Sequence, residues 1–434
     1  MIFGAQRKTG GLDLEAVEMA TRDVMHQTGA EILSHLLDGS GSPTPASVPC
    51  ACGQQAHYHD LRSKQIVTVV GKAALTRAYY VCPSCHNGQS PRDRELDLES
   101  TKYSPGVRRM MAVVGSECSF DHGREQLKLL AGVEVTGKAV ERHAEAIGAD
   151  MAATQREEME RAMQLEFPEI LGEAVPVVYI EMDGTGVPVV ETETEGRSGK
   201  IDGQPAHTRE AKIGCVFTQT GTDEKGYPIR DEGSTTYVGA IETAEQFGKR
   251  IYVEAFRRGW TRAEKKVVIG DGAIWIWNLA DQHFPGALQI VDLYHAREHV
   301  WNTARLLYPI DAVARKQWGN RITKLLDKGE VEAVALEIRT GAALNSEAVA
   351  DIEKAAEYFE RNKARMRYSE FRSQGLFVGS GVIEAGCKNV IGRRLKQSGM
   401  FWTVQNANSI IALRCCRISG KFEDYWASRS DVAA

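Results

Sequence analysis

The chain has 434 residues, 43% of them hydrophobic and 26% charged, with a formal net charge of -5. That is the make-up of an ordinary globular protein, long enough at ~100–200 residues per domain for two to four units. No stretch approaches the roughly 20 apolar residues that cross a bilayer, and the opening MIFGAQRKTGG is too polar for a secretory signal. Both features predict a cytoplasmic protein with no membrane partner. In that compartment the nine cysteines argue against a disulfide framework and for metal ligation or burial.

From Leu12 to about Leu37 apolar residues recur at three and four positions (Val17, Met25, Ile32, Leu36), which predicts one amphipathic helix or two. A Gly-Ser-Pro linker follows at Gly39–Pro45. Residues 48–87 hold four cysteines around QIVTVVGKAALTRAYYV, a pair of strands with Gly71 in the turn. From Ser104 to about Glu169 the pattern is helical and broken at Gly132 and Gly137, a helix-turn-helix or a plain helical bundle.

At Val175 the pattern changes. VPVVYIEMDG, REAKIGCVFTQT and STTYVGAI read as three strands, Glu242–Arg258 as a helix, KKVVIGDG as a fourth strand, AIWIWNLADQHF as a second helix and ALQIVDLYH as a fifth strand. The order predicts an α/β sheet in which three antiparallel strands lead into parallel ones. The segments Leu306–Leu336 and Glu353–Arg367 are rich in strong helix formers and read as an insertion. The segment GLFVGSGVIEAGCKNVIGRRLKQ then returns the chain to the sheet.

Three acids stand where ligands bind in such sheets. Asp183 closes the first strand, Asp271 closes the fourth, and Glu384 lies one turn into the last helix. Carboxylates gathered there repel one another unless divalent cations compensate, and hard cations such as Mg²⁺ prefer oxygen ligands. Two ions roughly 3.5–4 Å apart stabilise the attacking and leaving oxygens of a displacement at phosphorus. A strand-terminal Asp taken alone serves as a helix N-cap about as often. Asp292 and His295 end the fifth strand, with Arg297, Glu298 and His299 close behind. The i, i+4 histidines also permit a zinc pair, without the HExxH order.

Cys50 and Cys52 are separated from Cys82 and Cys85 by 82 − 52 − 1 = 29 residues. Two short pairs flanking a hairpin are what a structural zinc ribbon requires. Cys118, Cys215, Cys387, Cys415 and Cys416 read as core residues. An acidic total gives no global sign of a nucleic-acid partner, yet from Lys388 to Lys421 there are seven Lys or Arg and no Asp or Glu. Arg393, Arg394, Lys396 and Trp402 are the candidate DNA contacts, with Phe401 beside them. Arg361, Lys363, Arg365, Arg367 and Arg372 form a second basic cluster.

YIEMDGTGVP, TREAKIGCVFTQT, VVIGDGAIWIWNLA, IVDLYHAREH, YFERNKARMRY, GLFVGSGVIEAGCK and RLKQSGMFWT together resemble the ISKra-type transposases of bacterial insertion sequences. The resemblance runs from the CACG cysteines to FEDYW. It implies an RNase H-like catalytic core related to the Mutator group, with a DDE triad falling on Asp183, Asp271 and Glu384. The aspartate and histidine that the wider group carries between the second and third acids fall on Asp292 and His295. One departure is Gln405, which stands after FWTV where the family tends to carry a basic residue.

The expectation is therefore an α/β protein of several parts. These are an N-terminal helical segment and linker (1–45), a small zinc ribbon (46–100), a helical and possible helix-turn-helix part (101–172), an RNase H-like core (173–300 and 377–426) holding an all-α insertion (301–376), and a tail (427–434). It would act as a nucleoid-associated DDE transposase, using Mg²⁺ or Mn²⁺ at the acids and structural Zn²⁺ at the cysteines. Its partners would be double-stranded DNA, as element terminal repeats and target, and further copies of itself, since two ends must be held together. A host-adopted nuclease with the same triad, and a non-catalytic zinc-ribbon regulator, are the rival readings.

Overall fold

The computed structural model describes residues 13–39, 44–164, 172–199 and 206–432. The first twelve residues, most of the Gly-Ser-Pro linker and the end of the tail lie outside the described residues. The chain divides into two compact units, Met1–Gly148 with Lys421–Ala434, and Ala149–Gly420. Among the described residues no helix is long and apolar enough to cross a membrane.

In the first unit the N-terminal periodicity resolves as one helix, α1 (Leu14–Gly39). It lies on an antiparallel sheet of β1 (Ser47–Pro49), β2 (Gln55–Thr68), β3 (Gly71–Val81) and β4 (Gly88–Gln89), in that order. Leu33 and Leu37 of α1 pack on Ile66, Ala73, Leu75 and Leu98. The β2–β3 turn admits only glycine at position 71: its φ is +113°, and a Cβ there would meet the His26 carbonyl oxygen at 2.8 Å.

Four helices follow, α2 (Pro91–Glu95), α3 (Pro105–Glu117), α4 (Phe120–Ala131) and α5 (Gly137–Met163), and the boundary between the units falls within the last. Ser104, Ser119 and Thr136 accept backbone N–H groups at the starts of α3, α4 and α5, and Gly132 ends α4 in the left-handed region. Such caps are worth about 1 kcal/mol each. Val107, Met111, Leu127, Val133 and Val140 form the core beneath them.

The second unit is built on a five-stranded mixed sheet. β5 (Val175–Pro188), β6 (Thr208–Gln219), the small hairpin β7 (Gly221–Thr222) and β8 (Pro228–Ile229), and β9 (Thr236–Ala240) are followed by α6 (Ala244–Arg257), β10 (Ala263–Gly270), α7 (Ile274–His283) and β11 (Leu288–Val291). The strand order is β11-β10-β5-β6-β9. β5, β6 and β9 pair antiparallel, while β10 and β11 run parallel to β5, as the strand grammar predicted. Central β5 is buried from Val177 to Met182 on both faces, which is why VVYIEM reads as a continuous apolar run.

One boundary differs. The sequence reading ends the first strand at Asp183, but β5 continues to Pro188. There β6 goes on pairing with it, from Asp183 opposite Ile213 to Pro188 opposite Thr208, after β10 has stopped with Gly270 opposite Met182.

Beyond β11 the chain is helical through α8 (Leu293–Leu307), α9 (Ala312–Lys328), α10 (Val331–Gly341), α11 (Val349–Asn362) and α12 (Tyr368–Ser373). The segment Gly375–Ser380 then returns to the sheet and opens α13 (Gly381–Gly386). A π-helical turn (Cys387–Gly392) and α14 (Arg393–Leu395) continue it, and α15 (Val404–Ile418) packs on β9. The buried Arg414 of α15 donates to the carbonyls of Asn389 and Val390 and so satisfies the end of the π turn.

Candidate metal and active sites

The four cysteines come from two turns at one end of the first sheet. The β1–β2 turn carries Cys50 and Cys52, closed by hydrogen bonds between Cys50 and Gln54 and from Gly53 to Cys50. The β3–β4 turn carries Cys82 and Cys85, closed by Cys82 to Asn87 and His86 to Cys82. Sγ of Cys50 lies 3.6 Å from that of Cys85, and Sγ of Cys52 lies 3.6 Å from that of Cys82. All four donors fall within 4.8 Å of one another. Tetrahedral thiolates at ~2.3 Å from zinc stand roughly 3.8 Å apart, so the set is close to what that ion needs. The backbone N–H of Cys85, with that of Ser84, holds the Cys82 thiol down to about 6, which favours the thiolate that ligation needs.

The acids of the second unit are placed by strand register. Gly270 of β10 pairs with Met182 of β5 and with Val291 of β11. The next residue on each strand is an acid: Asp183, Asp271 and Asp292 stand level on three adjacent strands at one edge of the sheet.

Asp183 is held by the N–H of Gly184 at 2.6 Å and by the Cys387 thiol at 3.3 Å. Burial, and then the charge of Asp271, raise its carboxyl above the usual range, while the bonds from Cys387 and Gly184, and last the charge of His295, pull the other way. Asp271 Oδ1 accepts the N–H of Ala273 at 2.9 Å, and its carbonyl accepts the Tyr358 hydroxyl at 3.1 Å. Gly272 behind it has φ +98°, and a Cβ would meet the Tyr358 ring at 2.8 Å. A residue of the helical block thus backs the second acid.

Glu384 is exposed on the first turn of α13 and accepts the Ser380 hydroxyl at 3.4 Å. Among the described residues the four cysteines are the group of potential ligands that closes to 4.8 Å; Asp183, Asp271 and Glu384 stay wider apart.

Asp292 is fully buried. It caps α8 by accepting the N–H of His295 at 2.6 Å, and its other oxygen accepts the N–H of Ser380. The loop before Glu384 is pinned further by Gln219 on the Gly375 carbonyl (2.8 Å), by Phe377 N–H on the Tyr179 hydroxyl (3.3 Å) and by Leu293 N–H on the Val378 carbonyl (2.9 Å). Tyr179, Phe217 and Phe377 pack as a stacked and edge-on trio beneath it. His295 Nε2 lies 3.2 Å from His299 Nε2. His299 in turn stacks on Tyr358 at 4.0 Å, and burial, then the charge of His295, lowers it to about 4.

Two expected DNA contacts are corrected. Arg394 is 0% exposed, its guanidinium 5.0 Å over the Trp402 ring, and Trp402 is buried with its indole N–H on the Leu395 carbonyl and its backbone bridged to Pro188 and Val190. Both serve the core, because the chain after α14 must be tied to the end of β5. Arg393 and Lys396 are exposed, with Lys396 Nζ 2.6 Å from the Thr185 hydroxyl, two residues past Asp183. The aromatic facing solvent is Phe401, at 65% exposure. In the second basic cluster Arg367 is spent on Glu332, and Arg365 lies on Trp277.

Sequence reasoning missed Glu181, Tyr358 and the role of Cys387. Glu181 lies two residues before Asp183 on the same face of β5 and is fully buried; burial, and then the charges of Asp292 and Glu384, push its carboxyl up to about 8 against the N–H of Ile383. In VVYIEMDG it reads as one polar letter in an apolar run, and only its partner 202 residues later gives it meaning.

No protein-family model and no curated protein matches the chain. Among solved structures, a Drosophila P element transposase strand transfer complex is similar at a TM-score of 0.26 with 8% sequence identity, over 76% of this chain and 83% of that chain.

Proposed function

We propose that this chain is a DDE transposase of a bacterial insertion sequence, built on an RNase H-like core with an all-α insertion and a zinc ribbon. The observation that carries the reading is the register placing Asp183 and Asp271 level at one sheet edge, across which the Glu384 helix is laced. That edge supplies oxygen donors only partly neutralised by their neighbours, a donor set suited to Mg²⁺ or Mn²⁺. Asp183 and Asp271 would hold ions between them, and Glu384 would complete the set. Ions bound there supply a lowered pKa for an attacking water or 3′-hydroxyl and charge compensation at the phosphate.

The chain's own residues do the rest. Gly184 N–H and the Cys387 thiol orient the Asp183 carboxylate, and Tyr358 fixes the backbone of Asp271. His295, its ring set by His299, faces the acids and can donate a proton or hydrogen bond to a phosphate oxygen. Arg393 and Lys396, exposed beside β5, neutralise DNA phosphates. Phe401 offers a face for a base drawn from the duplex. The zinc ribbon and the helices α3–α5 are the parts left to read element ends, and two copies would hold two ends.

The test is strand cleavage and transfer of DNA ends taken from the sequence flanking this gene, with Mg²⁺ or Mn²⁺, by wild-type protein and by Glu384→Gln. Cleavage by the first and none by the second is expected. Equal cleavage removes Glu384 from the triad, and end binding without cleavage by either supports the regulator.

A further inference from the structure

The first turn of any helix has backbone N–H groups with no partner inside the helix, and the residue before it commonly accepts one through its side chain. Ser380 holds that place before α13, yet its hydroxyl is turned to Glu384 and makes no cap. The acceptors come instead from the sheet edge. Asp292 takes the N–H of Ser380, and Glu181 Oε2 takes the N–H of Ile383 at 2.8 Å. Glu181 reaches up from β5 beneath the helix, 0% exposed, with Cys215 of β6 3.9 Å away. From β9, Tyr237 donates its hydroxyl to the Val382 carbonyl at 3.3 Å.

We propose that Glu181 is a positioning residue which docks the Glu384 helix onto the strand carrying Asp183 and so fixes the third acid relative to the first. The inference rests on reading Glu384 as a metal ligand. A carboxyl sunk in the core is costly unless it is hydrogen-bonded. Its Oε1 has no hydrogen-bond partner among the described residues, and Oε2 takes only a long contact from the Cys215 thiol besides the N–H of Ile383, so the bond to Ile383 is the short one that justifies Glu181. Glu181 and Asp183 share a face two residues apart, while Ile383 and Glu384 are adjacent on the helix. A single hydrogen bond therefore links the two backbones immediately beside both acids. Residues that orient ligands in this way change metal affinity or activity by roughly ten- to hundredfold when removed.

Two substitutions of nearly equal volume separate docking from packing. Glu181→Gln keeps an oxygen to accept the Ile383 N–H, whereas Glu181→Met fills the same space without one. The full-length protein is read by amide hydrogen exchange over 380–386 and by Mn²⁺ titration followed by electron paramagnetic resonance.

The expected result is loss of exchange protection at Ile383 in the Met variant and retention in the Gln variant. Mn²⁺ binding should be roughly ten- to hundredfold weaker in the Met variant only. In the double variant Glu181→Met/Glu384→Gln, affinity should be no lower than in Glu384→Gln alone, because the two residues act on one ligand. Protection in the Met variant equal to wild type overturns the proposal, as does a loss of affinity that adds in full to that of Glu384→Gln. Wild-type protein that binds no Mn²⁺, or binds it equally after Glu384→Gln, sinks the metal reading on which the inference stands. A Met variant indistinguishable from wild type, in a protein whose Mn²⁺ binding does need Glu384, sinks the inference alone.

Discussion

Four thiols in the first unit and three carboxylates in the second are each suited to metal, but the fold treats them differently. The sulfurs are already drawn to within 4.8 Å of one another by two closed turns. The acids share one sheet edge and stay apart. Cys82 is held down but Cys85 is pushed up, so the cluster does not gather four like charges before a cation arrives, whereas carboxylates at the same spacing repel. Burial first, and then the charge of Asp271, raise the affinity of Asp183 for a proton. The cysteine cluster is thus already close enough to take an ion, and on the proposed reading the acid site is one that cations would complete.

The largest effect should come from breaking the preformed site. A structural zinc contributes apparent binding energy of about 10–16 kcal/mol in small zinc modules, and that energy is folding energy. Cys82→Ser should abolish bound zinc, measured by metal analysis, and unfold β1–β4 while the five-stranded sheet keeps its melting transition. One full equivalent of zinc in the variant would end the assignment.

The acid site should respond in the opposite sense. Asp183→Asn removes one of two mutually repelling carboxylates and leaves an oxygen for the Gly184 N–H. It should lower cleavage by about a hundred- to a thousandfold while raising the melting temperature of the metal-free protein. Divalent cations should raise the melting temperature of wild type and leave the variant unmoved. If Asp183→Asn destabilised the metal-free protein as much as a core substitution does, Asp183 would belong to the scaffold.

Proton linkage sharpens the same contrast. The folded-state affinities of Asp183 and Glu181 for a proton both lie above those of the unfolded chain, that of Glu181 at about 8. The folded state therefore binds more protons than the unfolded one between the ordinary carboxylate value and those raised values. Stability carried by these groups is present at low pH and is lost as pH rises through that window. Denaturant midpoints of metal-free protein at pH 5 and pH 8 should fall with pH in wild type, and by less in Glu181→Gln. An equal fall in both would show that Glu181 is ionised throughout.

Much of this was legible in the chain. Apolar runs ending in acids announced the strands and their order, and paired cysteines announced the turns, because each signal is local. Whatever depended on distant partners was hidden. Glu181 meets Ile383, Cys387 meets Asp183 204 residues earlier, and Tyr358 meets Asp271 87 residues earlier. Arg394 and Trp402 looked like a DNA face because a basic and aromatic string reads the same whether it points out or in. Burial decided otherwise. The five residues of β5 beyond Asp183 were lost because the DGTG glycines look like a turn, whereas in the structure they pair with β6.

The helical block supplies two smaller tests. Tyr358→Phe removes a single neutral hydrogen bond to the Asp271 carbonyl while keeping the ring on Gly272 and His299, a loss of about 1 kcal/mol. Urea unfolding should read that loss, and any fall in cleavage beyond it would report displacement of Asp271.

The smallest effect belongs to the surface pair Arg367–Glu332. Its hydrogen bonds hold the Glu332 carboxyl down to about 2. Glu332 is more than half exposed, so solvent screens most of that attraction and the pair is worth at most about 1 kcal/mol. Because the folded value lies below the unfolded one, the contribution is complete above the ordinary carboxylate range and disappears as pH falls through about 2. Glu332→Gln should therefore shift the urea midpoint slightly at pH 7, less in 1 M salt than in 0.1 M. A cost as large as that of a core substitution would mean that the Arg367 guanidinium, which also donates to the Gly329 carbonyl at 2.9 Å, holds α10 and α12 together through this pair.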